Sequence, residues 1–246
     1  MNVLDNDTIR LAHGGGGSLT GQLIHELFLR YFDNEHLKKL NDSAILKSSF
    51  SQFAFTTDSF VVSPLFFPGG DIGKLSVCGT VNDLCVSGAK PLYLSVGCII
   101  EEGFSIKELE KIVKSMKKTA QEAGVLVVTG DTKVVEHGKA DGVFINTTGI
   151  GGIEKTLPVV EARAKPGDKV IISGPIGSHG MAGITSRENF GFNTRIKSDV
   201  APLQGLVEAM LAVTDDIHVM RDATRGGVAT VFNEIAEQSG VSIVLE

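Results

Sequence analysis

Apolar residues recur along this chain in two rhythms, one matching the helical turn and one matching the two-residue pleat of a strand. After the glycine run 14–17, Leu19, Leu23, Ile24, Leu27 and Phe28 keep helical spacing. Residues 53–57 (Phe-Ala-Phe-Thr-Thr) alternate as a strand, with Asp58 directly after it. Positions 72–89 predict a helix carrying Leu75, Cys78, Leu84 and Cys85; Lys90-Pro91 ends it, and Leu92 to Ile100 predicts a strand. The clearest helix comes next. Ser105 and Glu108 form a capping box, Ile106, Leu109, Ile112, Val113 and Met116 make one apolar face, and Gly124 closes it. Val125–Val128 predicts a short buried strand with Thr-Gly-Asp-Thr-Lys (129–133) at its carboxyl end, where ligands of α/β sheets gather. A further strand spans Val143–Ile150.

The segment from Glu154 to Gly167, with Pro158, Pro166 and mixed charge, breaks this pattern, and beyond it the pattern restarts. Strands are expected at Lys169–Ser173, Ile217–Met220 and Val241–Leu245. Helices are expected near Gly180–Asn189, at Leu203–Val213 and, after the loop Arg221–Gly227, up to Ser239. Three regions result: a glycine-rich arm and helix over 1–35, a first domain over 36–155, and a second over 165–246 that reads as unfinished. The fold class is α/β (α+β).

Composition narrows the chemistry. The chain has 246 residues, 42% of them hydrophobic, and 23 Lys+Arg against 29 Asp+Glu give a net charge of −6. That balance argues against nucleic acid as a partner, since such domains carry a basic face. No apolar run reaches membrane-spanning length and no signal-peptide pattern opens the chain, so no membrane partner and a cytoplasmic location are expected. Cys78, Cys85 and Cys98 lack metal or disulfide spacing and read as buried thiols.

Four short segments repeat one theme, glycine or hydroxyl residues beside a charge: HGGGG, TTDS, TVNDL and TGDTK, with RDATRGG as a fifth. Gly14, Gly15, Gly16 and Gly17 precede a helix and offer bare backbone N–H groups to a phosphate, or serve only as a flexible arm. They lack the Gly-Lys-Ser/Thr ending of a Walker A loop. Asp58, Asp83 and Asp131 are hard oxygen ligands suited to Mg²⁺ held together with substrate phosphates. Taken singly, each Asp is also a candidate helix cap or turn residue; Asp83 fits that account least, because it sits mid-helix. Asn82 beside it is placed to add a ligand oxygen or orient water. Lys133, with Thr132, is expected to meet a phosphate or polarise a carbonyl, and Arg225 is a second phosphate contact. No nucleophile elbow or His metal pair is present. This set fits phosphoryl chemistry on ATP.

The segments AHGGGG, FTTDSFVVSPLFFPGGDIGKLSVCGTVNDLCVSGAKP, VTGDTKVV and RDATRGGV resemble the HypE hydrogenase-maturation family, within the aminoimidazole-ribonucleotide-synthetase-like (PurM-like) ATPases. The resemblance runs over essentially the whole chain. It implies two tandem α/β domains, the first pairing across a homodimer into a β-barrel, with ATP and Mg²⁺ near Asp58, Asp83 and Asp131. It implies ATP-dependent dehydration of a carbamoylated carboxyl-terminal cysteine to a thiocyanate, with Lys133 and Asp83 as catalytic residues. The carbamoyltransferase HypF would load the cysteine, and a HypC–HypD complex would carry the cyano group to hydrogenase iron. The family's reactive cysteine terminates a Pro-Arg-Ile-Cys tail, whereas this sequence closes on Val-Ser-Ile-Val-Leu-Glu (241–246), so this chain is expected to bind ATP but not to turn over alone. The alternatives are a thiamine-monophosphate-kinase-like phosphotransferase and a non-catalytic ATP-binding scaffold.

Overall fold

The computed structural model describes residues 7–154, 163–186 and 195–245. A continuous helical run opens it: α1 (Ser18–Leu23) and α2 (Leu29–Phe32), joined by a π turn over Ile24–Phe28. The first domain is built on β1 (Gln52–Phe60), then β2 (Phe66–Phe67) and β3 (Gly70–Asp71), a two-stranded ribbon, then α3 (Ile72–Val86) and β4 (Lys90–Glu101). α4 (Ile106–Glu122), β5 (Leu126–Val135) and β6 (Val143–Ile153) complete it. The main sheet has the order β1-β6-β4-β5, with β4 and β5 parallel and the other pairs antiparallel. β1 and β5 are therefore the edges.

One face of the sheet is covered and the other is open. α3 and α4 bury Val77, Val81, Leu109, Ile112 and Met116 against Leu94, Val96 and Ile145 of the strands, and this contiguous apolar layer is the core. α3 is buried nearly all round, and Thr80 and Thr147 pair their hydroxyls inside the layer while Thr147 also donates to the Ser76 carbonyl at 3.0 Å. That polar pin sets how α3 lies across β6. On the open face Phe55 is 70% exposed and Phe53 48% exposed.

Two strands outrun their apolar cores. β1 continues through Asp58, which pairs with Thr147, and β5 runs from Leu126 to Val135, so the Thr-Gly-Asp-Thr-Lys segment lies inside a strand and not in a loop beyond one. The backbone ladder, which ignores side-chain polarity, decides where pairing stops. β4 starts before the expected position and takes in Pro91 at a register shift, where a missing N–H costs the ladder little.

The second half holds α5 (Ser178–Thr185), α6 (Gln204–Val213) and α7 (Gly227–Ser239). The three strands expected at 169–173, 217–220 and 241–245 do not form among the described residues. The apolar side chains of the first and last stay largely in solvent, with Ile171 81% and Val244 81% exposed, whereas 217–220 is half-buried and Met220 packs on the core. Alternation marks a segment able to pair, but a strand exists only where a neighbour accepts its ladder. The expected boundary at 154–167 and the end of the expected 180–189 helix fall largely outside the described residues. Among the described residues no helix is long and apolar enough to cross a membrane.

Candidate functional site

The densest charge lies where β1 crosses α3. Thr56 and Asp58, two apart on β1, face the helix, and Gly79 lets them approach. A Cβ at Gly79 would meet the Phe60 ring at 2.8 Å and would sit 3.6 Å from Asp58 Oδ2. Asp83, one turn further along α3, accepts a hydrogen bond from Thr56 Oγ1 at 3.1 Å and shares another with Asp58. Desolvation, then the charge of Asp58, raises the Asp83 pKa, against the opposing pull of the Thr56 hydroxyl.

Asp222 joins them from the second half of the chain. Burial, followed by the charges of Asp83 and Asp58, pushes its carboxyl up to about 6. Sequence reasoning took the Arg-Asp-Ala-Thr-Arg-Gly-Gly loop for its arginine and glycines and missed this residue. The signal was present, since Asp222 keeps the same company of hydroxyls, glycines and cations as the other acids. A cleft of about 370 Å³ opens beside Asp83 and Asp222, lined also by Thr56, Ser87, Thr224 and Arg225. On its rim Arg221 is paired with Glu234 at 2.7 Å.

Among the described residues no three His, Cys, Asp or Glu side chains form a ready-made metal cage. Mg²⁺ does not need one, because it takes one or two carboxylates and completes its shell with phosphate and water. Burial first, and then neighbouring carboxylates, raise the pKa values of Asp83 and Asp222, and this set of hard oxygen donors fits a divalent ion.

Asp131 does not join this cluster within one chain. It lies on β5, at the opposite edge of the sheet from Asp58, three strand spacings or roughly 14 Å away. It pairs with Gly97, as Lys133 does with Ile99, and both side chains are exposed. Thr132 sits between them opposite Cys98. The glycine arm packs on this same edge: a Cβ at Gly14 would fall 2.6 Å from the Val134 nitrogen. Two arm N–H groups are used locally, Gly15 on the Ala12 carbonyl and Gly16 on Thr20 Oγ1. Gly17 is the N-cap of α1. His13 is fully buried beside the arm, with Nδ1 accepting from the Arg10 N–H and Nε2 without a partner; burial lowers its pKa. Asn82 turns away from the acids, both ends of its amide engaged by the backbone of residues 201–203. The sequence-derived set thus divides between β1–α3, where Asp58 and Asp83 meet and Arg225 lines the cleft, and β5, which carries Asp131, Thr132 and Lys133 beside the glycine arm.

The AIR synthase related protein N-terminal domain profile matches residues 40–153, and the corresponding C-terminal domain profile matches 165–246. Carbamoyl dehydratase HypE of Cupriavidus necator is 53% identical over 239 residues, spanning 97% of this chain and 68% of that protein. The HypE of Escherichia coli K12 is 44% identical, with 97% of this chain and 72% of that protein covered. The chain belongs to the HypE family. A crystal structure of HypE in complex with ATP superposes with a TM-score of 0.89 at 51% identity, covering 94% of this chain and 69% of that one. HypE in a complex with HypF gives 0.73 at 55% identity, covering 89% and 70%. A thiamine-monophosphate kinase gives 0.63 at 20% identity, over 89% of this chain and 71% of that one, which is a likeness of fold alone. The phosphotransferase alternative is not favoured.

Proposed function

We propose that this HypE-family chain acts in ATP-dependent dehydration of a thiocarbamate to a thiocyanate, which supplies cyanide for hydrogenase iron. The observation that carries the reading is the Asp58–Asp83–Asp222 cluster on a cleft, in a chain about half identical to carbamoyl dehydratases throughout. An amide oxygen leaves poorly until it is phosphorylated. In the first step that oxygen attacks the γ-phosphorus of ATP, the bond to the bridging oxygen breaks, ADP departs, and the nitrogen gives up one proton. In the second the nitrogen gives up its other proton, the carbon–oxygen bond breaks, phosphate departs, and the carbon–nitrogen triple bond remains.

The chain's part is positioning and charge, as in other phosphoryl transfers. Asp58, Asp83 and Asp222 are the residues to hold Mg²⁺, which when bound neutralises phosphate charge. Arg225 lines the same cleft and suits a phosphate oxygen. Thr132, Lys133 and the arm Gly14–Gly17, once the Gly15 and Gly16 N–H groups leave Ala12 and Thr20, supply the remaining phosphate contacts, with Lys133 on the transferring group. The thiol that bears the carbamoyl group is none of Cys78, Cys85 and Cys98, which are buried, each with its pKa pushed up to about 12.

Asp131 and Lys133 stand too far from the carboxylates to serve them within one chain. A homodimer closing the open sheet faces into a barrel would bring these residues from a second copy toward the first copy's cleft, and the exposed Phe53 and Phe55 supply apolar area for it. HypF is the partner that loads the thiol, as the solved HypE–HypF complex suggests, and a HypC–HypD complex is the acceptor. The test is incubation of the chain extended through the family's Pro-Arg-Ile-Cys tail with HypF, carbamoyl phosphate and Mg·ATP, followed by intact-mass analysis. A carbamoyl adduct that loses one water only with ATP is the expected result; ATP consumption with the adduct unchanged would reject the dehydratase reading.

A further inference from the structure

The second half of the chain returns to the carboxylate cleft along a strap that is pinned to the first half. The Ser198 N–H donates to the Pro68 carbonyl at 2.7 Å. Gly69, with φ +96, lies so close beneath the strap that a Cβ would fall 2.6 Å from the Ser198 carbonyl oxygen. Asn82 of α3 then grips the strap further along: Nδ2 donates to the Ala201 carbonyl at 3.1 Å, and Oδ1 accepts from the Leu203 N–H at 2.8 Å. α6 starts at Gln204, packs on α3, and leads on to Asp222.

We infer that Asn82 is a positioning residue for the carboxylate site, holding the strap that sets Asp222 against Asp58 and Asp83. The next residue on the same helix is Asp83, so one side chain anchors the incoming backbone and its neighbour supplies the acid that Asp222 faces. Three like charges left to themselves would move apart; a clamp keeps them together until a cation arrives. The residue type follows from the task. A backbone carbonyl needs a donor and a backbone N–H needs an acceptor, and a short side chain offers both at once only as an amide. Asp83's neighbour is therefore spent on backbone, and the inference rests on the nucleotide-site reading above.

The test is a double-mutant cycle read by titration calorimetry with Mg·ATP on wild type, Asn82→Ala, Asp222→Asn and the double variant. Asn82→Ala should weaken Mg·ATP binding about tenfold in the wild-type background and by less than about twofold once Asp222 is Asn, because the two act through one arrangement. ATP binding in EDTA should be unchanged. Equal losses in both backgrounds would mean a general structural role, and an equal loss without Mg²⁺ would mean direct nucleotide contact; either overturns the inference. Gly69→Ala, which loosens the strap from its other side, carries the same cycle if Asn82→Ala does not fold. A wild type that fails to bind Mg·ATP would sink the nucleotide reading instead. Amide exchange at Leu203, expected to rise in Asn82→Ala without nucleotide, then decides the clamp separately: unchanged protection there refutes it.

Discussion

Replacing Asp222 with Asn should stabilise the ligand-free protein at neutral pH while removing a metal ligand. Its carboxyl is pushed from the ordinary 3.8 up to about 6, by burial first and then by Asp83 and Asp58. Two pKa units correspond to about 3 kcal/mol, and partial solvent contact halves this to about 1.5 kcal/mol. The folded state binds this proton more tightly than the unfolded chain does. Its contribution is thus most favourable below about pH 4, is lost as pH climbs from about 4 to about 6, and is flat above that. Asn escapes the loss because it does not titrate. At about 2–4 °C per kcal/mol for a chain of this size, Asp222→Asn should melt roughly 3–6 °C above wild type near pH 7.5 and level with it near pH 4. Thermal melts in EDTA at both pH values measure this. Mg²⁺ plus ATP should then reverse the order, since wild type gains a ligand that the variant has lost. A gain of equal size at both pH values, or a lower melting point near neutrality, would refute the reasoning that Asp222 is held in like-charge company.

Asp83→Asn and Asp131→Asn should each weaken Mg·ATP binding by about tenfold or more, at least ~1.4 kcal/mol, and wild-type affinity by calorimetry in either variant removes that residue from the site. If sites are completed between subunits, mixing the separately inactive Asp83→Asn and Lys133→Ala proteins, each extended through the family's cysteine tail, should restore roughly a quarter of the extended wild type's turnover, because half the dimers are mixed and each holds one intact site. No recovery after verified subunit exchange would place both residues in one chain's site. Phe55→Glu should shift the mass measured by light scattering from dimer to monomer, and an unchanged mass would move the interface elsewhere. Iodoacetamide near pH 8 should leave Cys78, Cys85 and Cys98 unmodified in the native protein and label all three in urea, because burial both hides the thiols and suppresses the thiolate. Rapid native labelling of any one would contradict its burial.

The parts of this molecule legible in its sequence are those whose cause is local. α4 announces itself because cap, apolar face and terminating glycine sit within one stretch, and the Glu108 N–H does donate to Ser105 Oγ. Asp83 was conspicuous for the opposite reason: a charge amid the apolar positions of α3 contradicts its surroundings and demands a use. Non-local causes were not readable. The ends of β1 and β5 depend on β6 and β4, and the apolar runs of the second half depend on neighbours that alternation cannot supply. The candidate site shows the same division most sharply. Asp58 and Asp131 stand in near-identical local company, so sequence assigns them one role, yet the order β1-β6-β4-β5 sends them to opposite edges. Asp222 was passed over because its meaning comes from acids more than a hundred positions earlier, and Asn82 was assigned to the ligand because the strap that its amide holds is equally distant along the chain. Local motifs name the chemistry, whereas sheet order decides which groups share it. Here that order leaves Asp58 on one edge and Asp131 with Lys133 on the other, which is why the proposed site draws on a second copy of the chain.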